Sequence, residues 1–119
     1  MSIDVNDVYW HDSEIKNIII NREDPGNIDT IQFEVDWWES GRNGALIFEN
    51  VYFIKMELNM RMHVRETMDT VDIDNNDADF IKHQEIVGGY EAGTNCYMME
   101  MLTTGSRIKI IAARMIVID

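Results

Sequence analysis

The chain has 119 residues, 22 acidic against 10 basic, one cysteine and one proline, and 45% of it is hydrophobic. That length suits a single domain (residues 1–119) with enough chain to bury a core without a disulfide or structural metal, and lone Cys96 has no internal partner. A formal charge of −12 argues against binding nucleic acid through a phosphate-neutralising surface.

No basic-then-apolar leader is recognised at the N-terminus, and Lys109 and Arg114 interrupt the most apolar stretch well short of a membrane span. The expectation is a soluble protein in the reducing cytoplasm, with no cofactor and no membrane partner.

Period-two patterns dominate. Ser13 to Arg22 carries Ile15, Ile18, Ile19 and Ile20, apolar on both faces, as in a buried or bulged strand. Asp24-Pro25-Gly26-Asn27 supplies the fixed and permissive φ values of a tight turn. Ile31, Phe33, Val35 and Trp37 then alternate with Gln32, Glu34, Asp36 and Trp38, predicting a half-buried strand with an acidic outer side that pairs with the first as a hairpin. One of Trp37 and Trp38 must face outward, because successive strand side chains alternate.

After a turn at 40–44 and a short apolar stretch from Ala45 to Glu49, a clean alternation runs from Tyr52 to Val64, predicting a long strand with a bend or bulge. Thr70 to Ile73 is a shorter strand candidate. Asp77 to Glu85 is the one helix signal, with Asp77 as N-cap and Gly88-Gly89 as its stop. Cys96 to Leu102 and Arg107 to Ile118 flank Thr103-Thr104-Gly105-Ser106 as a C-terminal hairpin. The expected fold is mostly β, an antiparallel sandwich or open barrel of six or seven strands with one short helix.

The charge is concentrated. Residues 23–39 hold six acids and no Lys or Arg, residues 66–91 hold eight acids and one lysine, and the rest is nearly balanced. Charge of this kind serves solubility first, but it also steers a basic partner to the surface. Glu34, Asp36, Trp38 and Glu39, with Asp72, Asp74, Asp77 and Asp79, are the candidate contact residues, an aromatic anchor among carboxylates being a common interface composition.

Other chemistry is thinly supplied. Trp10-His11-Asp12-Ser13 contains the residue types of a hydrolase triad, but neighbours on an extended chain cannot converge, and no nucleophile elbow is present. Asp72 to Asp79 imitates a calcium loop, yet Asp77 stands where glycine is required and His83 where the bidentate glutamate belongs. His11, His63 and His83 lack metal-ligand spacing. No catalytic or metal residues are expected.

The segment Tyr9-Trp10-His11-Asp12-Ser13, followed by the Ile-rich strand, Asn21-Arg22, Pro25-Gly26-Asn27 and Asp29-Thr30-Ile31, resembles small bacterial proteins with a Trp-His-Asp-Ser signature, some of them immunity proteins of polymorphic toxin systems. The resemblance covers about the first third of the chain. It implies a non-enzymatic inhibitor that holds a basic toxin domain, with Trp10, His11, Asp12 and Ser13 as structural signature positions. The alternatives are a small enzymatic or ligand-binding β domain with a pocket between its sheets, and a module that self-associates through a strand edge and its methionine-rich face.

Overall fold

The computed structural model describes residues 4–119. Six strands, β1 (Glu14–Asp24), β2 (Ile28–Asp36), β3 (Asn43–Glu57), β4 (Met68–Ile73), β5 (Asn95–Met101) and β6 (Arg107–Ile118), form one antiparallel sheet in the order β1-β2-β3-β6-β5-β4. One helix, α1 (Ala78–Ile86), is inserted between β4 and β5. The fold is therefore mostly β with a single short helix, as the period-two patterns predict. Among the described residues there is one sheet of six strands, strongly coiled but not closed into a barrel.

The coiling follows from register. Glu14 stands level with Asp36 and Asn43 at one end of the sheet, whereas Met68 pairs with Met101 near the other end, where Glu57 faces Arg107. These diagonally opposite corners meet. Glu14 bridges Thr67, and three backbone bonds stitch the junction: Asp12 N–H to Met68 O (2.9 Å), Ile15 N–H to Glu66 O (2.8 Å) and Met68 N–H to Ser13 O (2.7 Å). Right-handed strand twist accumulated over six strands carries one edge round to the other.

The concave face holds the core, with Ile31, Phe33 and Val35 of β2, Leu46 and Phe48 of β3, Ile108, Ile110 and Met115 of β6, and Tyr97 and Met99 of β5. On the convex face α1 packs beside Phe53, whose ring lies 5.6 Å from His83. Asp77 caps the helix by accepting from the N–H groups of Asp79 and Phe80, as its sequence position predicts.

The alternation from Tyr52 to Val64 overstates β3. The strand begins earlier, at Asn43, and ends at Glu57, the last residue opposite β6. Among the described residues no strand continues past Arg107 for the chain to pair with, so Met60 and Met62 face solvent although their spacing is that of core residues. The expected irregularity lies between Val51 and Phe53, next to Asn50 at φ 51°.

Candidate binding surface

The end of β2 is built around two tryptophans. Trp37 is buried, its ring 5.9 Å from Trp10, and its indole N–H donates to the carbonyl of Ile118 (2.8 Å). Trp10 is likewise buried and donates to Val5 O (2.8 Å). Gly44 makes room for this arrangement, since a Cβ there would come within 1.9 Å of Ile118 O and 2.7 Å of the Trp37 indole nitrogen.

The next residue is turned outward. Trp38 is 62% exposed, while its backbone N–H donates to the fully buried Ser13 Oγ (3.0 Å). Arg42 O accepts from Trp37 N–H and Trp37 O accepts from Gly41 N–H, closing the turn around it. An exposed indole on a backbone held at several points loses little conformational freedom when a partner covers it.

Glu34 and Asp36 lie on the outer side of β2, and Glu39 lies in the turn that follows it. Glu34 accepts from the amides of Asn17 and Asn43, and Asp36 accepts from Asn43 (2.9 Å) and lies 3.6 Å from Lys16 Nζ. Glu39 is exposed. Among the described residues no ion pair reaches Glu34, so its charge is held by neutral donors and stays uncompensated. Lys16 instead shares its charge with Glu14, which also takes Arg65; burial opposes ionisation of Glu14, but these two cations outweigh it and lower its pKa.

The second acidic group is divided. Asp72 and Asp74 are exposed at the end of β4, Asp74 accepting from Asn76 N–H. Asp77 and Asp79 turn instead toward Lys109 on β6, 2.9 Å and 2.7 Å from its Nζ. They anchor the helix start to the sheet, a structural duty that leaves Asp72 and Asp74 as the freer carboxylates. Glu14, the partner of Asp36, meets Thr67 at the start of β4, whereas Asp72 and Asp74 lie at the other end of that strand, beyond the pairing of Val71 with Met99. Asn43 bonds to both Glu34 and Asp36, and Trp38 and Glu39 follow in the next turn, while the four aspartates lie at the end of β4 and the start of α1.

The signature residues sit at the sheet junction. His11 Nδ1 lies 3.1 Å from Asp69 Oδ1, Asp12 adopts φ 69°, and Ser13 is occupied by Trp38. Ser13 Oγ and the His11 ring are engaged with different partners, so no nucleophile–base pair forms between them. Cys96 is buried below the start of α1, and that burial pushes its thiol pKa up to about 12, leaving it protonated at neutral pH. Among the described residues no cluster of three or more His, Cys, Asp or Glu is arranged to hold a metal ion, and no helix is long and apolar enough to cross a membrane.

Asn17 and Asn43, which fix Glu34, were not identifiable from sequence as functional residues. Nor were the outward-facing isoleucines of β1, β3 and β6. Their only signal is the run Ile18-Ile19-Ile20, apolar on both faces of a strand.

Fold and surface together define a small, coiled antiparallel β-domain with a tryptophan presented among carboxylates. Compared with protein-family models, with curated proteins and with solved structures, the chain matches none.

Proposed function

We propose that this chain is a non-enzymatic cytoplasmic binding protein, an immunity-type inhibitor that holds a basic toxin domain through the acidic surface at the end of β2. The observation that carries the reading is Trp38, 62% exposed on a backbone fixed by buried Ser13 and flanked by Glu34, Asp36 and Glu39. In such a contact the indole supplies desolvated area and the carboxylates steer a cationic partner and set its register. Asp72 and Asp74 form a second, separate anionic site for a partner broad enough to reach it. The Trp-His-Asp-Ser resemblance supports the toxin-neutralising form of this reading.

The test is capture of the protein encoded beside this chain in its genome, at low and at high salt. Retention at low salt that weakens as salt rises is the expected result. No retention at any ionic strength, or retention unchanged when Trp38→Ala is combined with Glu34→Gln and Glu39→Gln, contradicts the proposal.

A further inference from the structure

The convex face has two halves. Over one, α1 lies beside Phe53 and the ion pairs of Lys109. Across the other, the ladder register places Ile19, Gln32, Ile47 and Ile116 in one row over β1, β2, β3 and β6, since Ile19 pairs with Gln32, Gln32 with Ile47 and Ile47 with Ile116. The adjacent row on the same face is Asn17, Glu34, Ala45 and Ile118.

Ile19 is 55% and Ile118 50% exposed, and Ile47 and Ile116 are half-buried between them. Isoleucines from three strands, β1, β3 and β6, thus share one outward face, with Gln32 and Glu34 of β2 between them, and such an apolar face on a sheet is the composition of a covered surface. Glu34 stands in the second of these rows, fixed by Asn17 and Asn43 and, among the described residues, without a cation in ion-pairing distance.

We infer that this half of the convex face is a docking surface for a basic protein whose contact region mixes aliphatic side chains with arginine or lysine, the aliphatic groups covering the isoleucine row and one cation seating on Glu34. The inference deepens the functional reading above and rests on its premise that the partner is basic. Charge decides between occupants. A second copy would bring another chain of net charge −12 and another Glu34 against the first, whereas a cationic partner supplies the charge that Glu34 lacks. The row spans three strand spacings, about 14 Å, the reach of a short extended segment or one ridge of a folded partner.

The probe is a synthetic peptide repeating Leu-Ser-Arg-Ser, which when extended presents leucine and arginine on one side. Its Leu-Ser-Glu-Ser counterpart is the control. The expected result is perturbation of the amide resonances of Asn17, Ile19, Glu34, Ile47 and Ile116 by the arginine peptide alone, with binding at least tenfold weaker to Ile19→Ser/Ile118→Ser and to Glu34→Gln. Both variants alter side chains at the surface, and circular dichroism verifies that they fold.

Perturbation confined to other residues, no binding, or equal binding to the isoleucine double variant overturns the inference. So does concentration-dependent dimerisation of the wild-type chain that the double variant abolishes, which would make the occupant a second copy. Failure of the genomically adjacent protein to bind strikes the inhibitor reading, while failure of the arginine peptide strikes this surface alone.

Discussion

Single residues decide how the binding turn is held. Ser13 is fully buried and its hydroxyl accepts from Trp38 N–H, so Ser13→Ala leaves a backbone donor without its partner and is expected to cost about 1–2 kcal/mol in urea denaturation. Gly44→Ala places a methyl within 1.9 Å of a backbone carbonyl that cannot swing away like a side chain, and a loss above about 2 kcal/mol is expected. A Gly44→Ala chain as stable as wild type would show that β3 and the Trp37 bond are not packed as described. The sequence requires one of Trp37 and Trp38 to face outward, but which one depends on whether strand alternation continues past Asp36, where β2 ends. What settles it is Trp37's bond to Ile118, 81 residues away, for which there is no local signal.

At the scale of elements, α1 is the part most dependent on charge. No residue of the helix is fully buried, and its start is tied down by Asp77 and Asp79 on Lys109. Lys109→Met removes the ion-pair partner shared by Asp77 and Asp79, leaving only the more distant Lys55 and Lys82 to act on Asp79. It should lower stability by about 1–2 kcal/mol, between the values for exposed and buried pairs, and speed both hydrogen exchange over 78–86 and thiol labelling of Cys96. Unchanged exchange and labelling would mean that the ion pairs do not anchor the helix.

The pH dependence of α1 has a definite sign. The hydrogen bond from Lys109 holds the Asp79 pKa below its usual value, so its stabilisation is present above about pH 4, the unfolded carboxylate range, and is lost as pH falls through the folded value. Burial works against the charge of Lys109, but the bonds to Asp79 and Asp77 outweigh it and raise its pKa, so its share is present below about pH 10 and is lost as pH rises through the folded value. Helix protection, corrected for intrinsic exchange rates, should therefore hold from about pH 5 to 9 and fall at lower pH. The N-cap and the glycine stop of α1 are legible in sequence because both are local. Lys109, 30 residues beyond Asp79, is not, and neither is the end of β3, which is set by where β6 begins.

For the whole molecule, a charge of −12 that looks like one property resolves into acids with different duties. Some cap or anchor α1, some close the sheet junction through Lys16 and Arg65, and Glu34, Glu39, Asp72 and Asp74 face outward without a cation within ion-pairing distance among the described residues. Added salt should raise the thermal stability of the isolated chain by screening its self-repulsion while weakening its complex with a basic partner, opposite signs from one cause. The mostly β class and the hairpins are legible because period-two patterning reports them directly. The meeting of diagonal corners is not, since it depends on register summed over six strands. The most direct measurement is the affinity of the chain for its genomically adjacent protein, titrated with salt for wild type and Trp38→Ala. Affinity that falls with salt, and at least tenfold weaker binding by a Trp38→Ala chain of unchanged thermal stability, is the predicted result. Salt-independent binding that survives the loss of Trp38 would contradict the account.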